Sequence, residues 1–319
     1  MGSQQQRVLL AGASGYVGRA VASELVSRGH QVVAVVREAI DLRGADVRVG
    51  EVTDLASLER AVGNTPIDSV VSCIASRSGV PDDAWQVDYE ANRNMLEVAS
   101  SAGVRHFLLL SAICVQKPRL AFQHAKLAFE AELRESPLEY TIVRPTAFFK
   151  SLSGQIERVR DGKPFLTFGD GTTTACKPIG EADLAAFMAD CLDDPAARNR
   201  ILPIGGPGEA VTPQQQGELL FELLNQTPQF RRVPPGIFRF ALGLLAPIGL
   251  LLPAARKKAE LARIGHYYAT ESMLAWDAEN ERYDADATPS TGRETLRDFY
   301  TRVLADGLDE HKLGDHKVF

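Results

Sequence analysis

Three glycines spaced three residues apart, Gly12, Gly15 and Gly18, close an apolar run that begins at Arg7 and open a run of helix formers that continues to Arg28. A buried strand, a tight glycine turn and a helix N-terminus together present free N–H groups to an anion. The missing Cβ atoms let a pyrophosphate approach the backbone closely. Gly12, Ala13, Ser14, Gly15, Tyr16, Val17 and Gly18 are therefore the predicted cradle of a dinucleotide. Turns collect glycine for structural reasons too, so the weight rests on the placement of this one between a strand pattern and a helix pattern. Arg37 ends the next apolar run, Gln31 to Val36. At that position an acid would hold the ribose 2′-hydroxyl of NAD, whereas an arginine suits the 2′-phosphate of NADP. NADPH is the expected cofactor.

A second set lies in the middle of the chain. Ser111 follows the apolar run Arg105 to Leu110, and Lys126 follows Phe122 by four residues on a helical stretch. Short-chain reductases generally carry a Ser at such a strand end and a Tyr four residues before the Lys, one helical turn apart on a shared face. Here the Ser and the Lys are present, but Phe122 occupies the Tyr position. A phenyl ring has no proton to give to a developing alkoxide, so ordinary carbonyl chemistry is not expected. Two options stay open: nucleotide binding without redox chemistry, or reduction of a group that forms no alkoxide, such as an activated carbon–carbon double bond. Lys126 can still anchor the ribose hydroxyls of the cofactor, and Lys126 and Ser111 are the catalytic candidates. Lys126, His124, Cys114, Ser111 and water are the candidate proton donors.

The elements that must hold these residues follow the alternation of an α/β protein. Strands are predicted at Asp46 to Val52, Ile67 to Ile74 and Glu139 to Val143, with helices at Leu55 to Val62, capped by Asp54, and at Trp85 to Ala102. Ala75 and Ser76 leave the fourth strand at the carboxyl edge of the sheet, where the nicotinamide ribose is expected. Beyond Gly154 the rhythm loosens. Short strands are predicted at Lys163 to Phe168 and Thr174 to Ile179, helices at Glu181 to Leu192 and, capped by Thr212, at Pro213 to Leu224, a strand at Arg200 to Ile204, and a last helix at Thr291 to Leu304. The expected fold is a Rossmann-type, doubly wound parallel sheet over residues 1–153. A smaller, mostly helical substrate part covers 154–319, some of whose elements return to the sheet.

Composition narrows the partners. A net charge of −6 with no basic tract argues against nucleic acid. Cys73, Cys114, Cys176 and Cys191 are scattered, without a CxxC pair or a His at ligand spacing, so neither a disulfide framework nor a metal site is expected. MGSQQQ leads straight into the first strand, so no signal or transit peptide is expected and cytoplasmic residence is the default.

Four runs carry a closer resemblance: SAICVQKP from Ser111, IVRPTAFFKSLSGQ from Ile142, LPIGGPG from Leu202 and YYATESML from Tyr267. With the GxxGxxG turn, they resemble the 3,8-divinyl chlorophyllide 8-vinyl reductases, NmrA-like atypical members of the short-chain dehydrogenase/reductase superfamily. The likeness extends from Val8 to the C-terminal helix. It implies NADPH-dependent reduction of a vinyl group on divinyl chlorophyllide or protochlorophyllide in (bacterio)chlorophyll synthesis. It also implies Pro145 near the nicotinamide carboxamide. Relatives often place an Asp near the adenine where this chain has Glu51, which puts that side-chain contact in doubt and leaves the backbone of Val52. A macrocycle delocalises the charge left by hydride addition, so the missing Tyr is no obstacle.

Phe122, Phe148, Phe149 and His266 are the candidate substrate contacts, His266 as an axial ligand of the chlorophyllide magnesium or simply as a structural residue. The apolar stretch within 236–258, followed by Arg256, Lys257 and Lys258, is compatible with peripheral contact with an anionic membrane or with a buried lid over the substrate. Of the two, the lid is the expectation. A phototrophic bacterium is the expected source. The competing functions are an NADP-binding regulator, a complex I accessory-type subunit, and a reductase of another conjugated alkene. Oligomeric state is left open.

Overall fold

The computed structural model describes residues 5–249 and 252–307. Along the chain run β1 (Arg7–Ala11), α1 (Tyr16–Ser27), β2 (Gln31–Val36), β3 (Asp46–Val49), α2 (Leu55–Val62), β4 (Ser69–Ser72) and α3 (Pro81–Ala84). A π-helical segment, Trp85–Glu90, leads into α4 (Ala91–Ser101), and then come β5 (His106–Leu110), α5 (Ala121–Glu135), β6 (Glu139–Pro145) and α6 (Ile156–Arg160). The chain continues through β7 (Phe165–Phe168), α7 (Glu181–Asp193), β8 (Arg200–Ile204), α8 (Pro213–Leu223) and β9 (Phe230–Val233). It finishes with α9 (Gly236–Gly249), α10 (Pro253–Thr270), β10 (Ala275–Asp277), β11 (Arg282–Asp284) and α11 (Leu296–Asp306).

Seven strands form one parallel sheet in the order β3-β2-β1-β4-β5-β6-β8. Strands this rich in Val, Leu and Ile must be covered on both faces. One cover contains α1 and α7, which bury Val21, Leu25, Leu184 and Met188 against Leu10, Ala34 and Val143. The other contains α2, α4 and α5, which bury Leu58, Met95, Phe129 and Leu133 against Leu9, Val70 and Phe107. The strand order reverses between β1 and β4, and the crevice of such a sheet opens at their carboxyl ends.

The C-terminal part has its own core, built from Phe149, Ile156, Phe165, Leu220, Phe299 and Tyr300 among others. A smaller cluster joins it to the Rossmann part: Ile113, Cys114, Leu120, Cys176, Tyr267 and Met273. Helix α7 and strand β8 belong by packing to the sheet, although they follow residue 153.

Several expected elements differ in detail. Thr174 to Ile179 is no strand; it makes single bridges, Cys176 to Val211 and to Met273, and Ile179 to Phe148. Strand β9, not foreseen, pairs in parallel with β7. The last helix starts at Leu296, not Thr291, because Thr295 and Asp298 form a capping box there. Caps at Asp54 and Thr212 stand where expected. Of the segment expected as a lid or a membrane contact, α9 has no buried residue, whereas Ala255 at the start of α10 is buried. Of the segment 236–258, residues 250 and 251 lie outside the described residues, as do residues 1–4 of the MGSQQQ leader.

Candidate functional site

The glycine turn lies where β1 ends beside β4. Gly12 adopts φ +82°, and a Cβ there would run into the Cys73 carbonyl that leaves β4. A Cβ on Gly18 would overlap the Gly12 carbonyl, whereas one on Gly15 would sit 3.3 Å from the same oxygen. The Gly15 amide donates to that oxygen at 3.0 Å, closing the turn. Gly12 and Gly18 are thus required by backbone packing, and the turn they permit leaves the first amides of α1 facing the crevice. Ala13 is buried beneath the turn, Ser14 is exposed, and Val17 packs inward. The Tyr16 hydroxyl hydrogen-bonds Glu181 of α7, and burial together with that carboxylate raises its pKa.

Arg37 is exposed at the end of β2 and, among the described residues, has no hydrogen bond or ion pair. Glu51 is half-buried, and its side chain caps the next turn weakly, accepting from the Thr53 amide at 3.5 Å. The Val52 carbonyl accepts from Asn94 Nδ2 at 2.9 Å. Ala75 is exposed, and the Ser76 amide donates to Asp88 Oδ1 at 3.3 Å. Pro145 is buried at the end of β6.

Lys126 is buried on α5, and its Nζ lies 2.9 Å from Asp88 Oδ1. Asp88 sits in the π-helical segment, the wider turn that often marks functional positions. Asn92 braces this turn, donating to the Asp88 carbonyl at 3.0 Å and hydrogen-bonding Ser72 of β4. The second carboxylate oxygen, Asp88 Oδ2, is buried and has no partner among the described residues. Lys126 also acts on two thiols: burial pushes Cys73 up to about 12 and raises Cys114, while the ammonium opposes both shifts. Asp88 was not singled out in the sequence. Its signal was a carboxylate in line with Ala84, Ala91 and Met95 on the buried stripe of a helix.

Ser111 occupies a different environment from the one expected. Its hydroxyl donates to Glu130 Oε1 at 2.5 Å, and Glu130 in turn pairs with Arg144 of β6. Glu130 is one helical turn beyond Lys126, so Ser111 is engaged in a buried polar chain and its proton is already committed. Phe122 packs in the small joining cluster with Ile264 of α10. Gly79 is wedged between the two, 3.0 Å from Ile264 Cδ1 and 3.5 Å from Phe122 Cδ1 when a Cβ is placed on it. The loop after β4, the start of α5 and α10 therefore meet around Phe122. Phe148 is half-buried beside Tyr16, with ring centroids 6.5 Å apart. Phe149 is fully buried in the C-terminal core against Phe299, at 5.3 Å, and so does not line a cleft. His266 is half-buried on α10; its carbonyl accepts from Thr270, and its ring has no hydrogen-bond partner among the described residues. His124 is exposed on α5, away from Lys126.

The two runs SAICVQKP and YYATESML clasp the C-terminal part onto the Rossmann part. Lys117 reaches Glu271 at 2.8 Å and lies over the Trp276 ring at 4.0 Å. Arg119 and Tyr283 also hold Glu271, at 2.8 and 2.6 Å. The Tyr267 hydroxyl donates to the Cys114 carbonyl at 2.9 Å, and Gln116 bonds the backbone of Leu274 and Trp276. Glu271, also not foreseen, is the hub of this clasp.

A cavity of about 720 Å³ opens at the other end of the sheet, lined by Arg7, Gln31, Asp46 and Arg48. It lies at the amino ends of the strands, where sheets of this class do not bind their ligands, and Arg7 and Arg48 are already held by Gln31 and Asp46. Among the described residues no group of His, Cys, Asp and Glu could hold a metal ion, and the four cysteines are free. No helix among them is long and apolar enough to cross a membrane.

A dinucleotide fits what is present: the tight glycine turn and, among the described residues, an Arg37 without a partner and a buried ammonium beside an unpartnered carboxylate oxygen. Fold and cradle define a Rossmann-type nucleotide-binding protein, and residues 12–195 match a family model described as NAD(P)H-binding. The chain belongs to the divinyl chlorophyllide a 8-vinyl-reductase family. It is 51% identical to the chloroplastic divinyl chlorophyllide a 8-vinyl-reductase of Cucumis sativus over 98% of its own length and 79% of that protein's. It is 48% identical to the Arabidopsis thaliana protein of the same name, over 97% and 79%. The solved structure of the Bordetella bronchiseptica enzyme WbmG in complex with NAD and UDP matches with a TM-score of 0.70 at 18% identity, covering 99% of this chain and 98% of that one. That is a likeness of fold.

Proposed function

We propose that this protein reduces the 8-vinyl group of a divinyl chlorophyllide to ethyl at the expense of NADPH. The observation that carries the reading is the pairing of a held Lys126 with Phe122 at the neighbouring turn of the same helix face. The lysine keeps the cofactor-anchoring function, and the phenyl ring removes the acid that carbonyl reduction needs. The bound cofactor supplies a hydride.

Gly12 to Gly18 bind the pyrophosphate, and Arg37 binds the 2′-phosphate. Lys126, with one donor engaged by Asp88 and two left, holds the ribose hydroxyls. The backbone of Val52, the loop at Ala75 and Ser76, and Pro145 line the rest of the nucleotide. Hydride addition to the terminal vinyl carbon leaves charge that the macrocycle delocalises, and one proton must then reach the adjacent carbon. Among the side chains offered for that proton, Ser111 is committed to Glu130, Cys114 has a raised pKa, and His124 faces solvent. Lys126, or water beside it, is the donor this leaves. Phe122 and Phe148 offer apolar surface to the macrocycle, and the ring of His266, without a hydrogen-bond partner among the described residues, is the candidate axial ligand for its magnesium. The macrocycle is poorly soluble in water, which makes a lipid surface at 236–258 a natural source of it.

The test is anaerobic incubation with NADPH and divinyl chlorophyllide, read by chromatography of the pigment. A nucleotide-binding regulator would bind NADPH and leave the pigment unchanged.

A further inference from the structure

Ile237, Phe240, Leu244 and Ile248 follow one another at three- and four-residue steps on α9 and are 52, 70, 56 and 47% exposed. Leu252, just beyond the helix, is 56% exposed. This spacing places the four on one helix face. An adjoining face is occupied. Phe238 packs on Phe168 with ring centroids 4.9 Å apart and against Gly265 of α10, where a Cβ would strike its ring. Helix α10 stands between α9 and the site, turning Ile264 toward Gly79 while Gly265 meets Phe238. The exposed stripe therefore faces outward and lines no part of the cleft around Phe122.

The charges carried by the stretch of chain around this stripe are all of one sign. Between Glu222 and Glu260 the sequence has no carboxylate but carries Arg231, Arg232, Arg239, Arg256, Lys257 and Lys258, in a chain of net charge −6. All six are exposed, and among the described residues only Arg256 has an ion-pair partner, Asp82 at 3.3 Å. An apolar face on a stretch whose cations, Arg256 apart, have no ion-pair partner among the described residues complements a surface that is apolar below and anionic above. A symmetric contact with a second copy would bring these like charges together.

We propose that the outer face of α9 docks on an anionic lipid bilayer, with the Ile237-Phe240-Leu244-Ile248 stripe in the acyl boundary and the flanking Arg and Lys side chains at the lipid phosphates. Docking does not depend on the reductase reading: vesicle binding and pigment conversion are separate readouts, and either can fail alone.

The experiment is co-sedimentation of the whole chain with vesicles of phosphatidylcholine, and of phosphatidylcholine containing about one-third phosphatidylglycerol. Binding is expected with the anionic vesicles, far less with the neutral ones, and release is expected as salt rises from about 0.1 to 1 M and the screening length falls from ~10 to ~3 Å. The double variant Phe240→Glu/Leu244→Glu should lose vesicle binding by at least about ten-fold while its NADPH affinity, the control for folding, is unchanged. Lys257→Glu/Lys258→Glu should lower binding to anionic vesicles specifically. The proposal is overturned if the wild-type chain stays in the supernatant with anionic vesicles, or if the Phe240/Leu244 variant binds as well as wild type. It is equally overturned if light scattering shows a dimer that this variant splits while vesicles capture neither form.

Discussion

Lys126 Nζ and Asp88 Oδ1 are 2.9 Å apart in a buried setting, and the second oxygen of Asp88 is left without a partner among the described residues. Helix α5 supplies the cation and a π-helical turn supplies the anion, so the nucleotide-facing end of Lys126 is fixed by an element that is itself irregular. Asp88→Ala leaves a buried ammonium unpaired, and we expect a loss of about 3–5 kcal/mol in unfolding free energy. Asp88→Asn, which retains an acceptor, should lose less stability while still weakening NADPH binding. Lys126→Ala should weaken NADPH binding and abolish turnover. Urea unfolding and NADPH fluorescence titration separate the two effects.

Arg37 projects from the end of β2 with no partner among the described residues. If it meets the 2′-phosphate, Arg37→Glu removes a charge-assisted contact worth about 1.5–3 kcal/mol and adds repulsion. NADPH affinity should fall by roughly ten-fold or more, with the NADPH/NADH ratio moving toward NADH. An unchanged ratio in paired titrations would remove Arg37 from the site.

The glycines of the turn differ in what they tolerate. Gly18→Ala forces a Cβ into the Gly12 carbonyl, which only a backbone shift can relieve, whereas Gly15→Ala meets the same oxygen at 3.3 Å. The first should cost at least about 2 kcal/mol of stability and eliminate NADPH binding. The second should fold normally with a smaller loss of affinity. Thermal melts with and without NADPH report both, since a bound nucleotide raises the melting temperature only where the cradle survives.

His106 lies in the middle of the sheet, where burial and then the charge of Arg198 bring its pKa from 6.5 down to about 3. Arg198 Nη1, a donor only, lies 2.6 Å from Nδ1 and 2.9 Å from Nε2, and Thr141 Oγ1 lies 3.0 Å from Nε2, a setting that suits a neutral ring. Below pH 6.5 the unfolded chain takes up a proton that the folded chain refuses. Stability from this residue is therefore complete above that pH and is lost as the pH falls, at up to about 1.4 kcal/mol per pH unit. Unfolding free energies measured at pH 7, 6 and 5 should show that slope, and His106→Asn should flatten it.

The sheet and its cradle were legible because strand runs such as QVVAVV and the glycine spacing are local signals. The caps at Asp54 and Thr212 were legible for the same reason. What escaped depends on contacts distant in sequence. Asp88 reads as one more polar residue of a helix until Lys126, 38 positions on, is brought beside it. Glu271 gathers Lys117, Arg119 and Tyr283 from both parts of the chain. Ser111 was read from its strand-end position, but its hydroxyl is held by Glu130, a partner on the next helix. Phe148 and Phe149 are adjacent in sequence yet point to different cores, one beside the cradle and one against Phe299. The 236–258 stretch was too apolar to distinguish a lid from an outer face; that depended on which side Phe238 packs.

The central claim is that a vinyl reductase operates here with Phe122 in place of a tyrosine acid and with Lys126 on the nucleotide. Its most direct test is single-turnover conversion of divinyl chlorophyllide with NADPH, run on the wild-type chain, Phe122→Tyr and Lys126→Ala, with the pigment resolved by chromatography. Wild type should yield the 8-ethyl product with NADPH, Phe122→Tyr should gain nothing, and Lys126→Ala should yield none at the same cofactor concentration. Tight NADPH binding by the wild-type chain with unchanged pigment would contradict the account, as would full activity in Lys126→Ala.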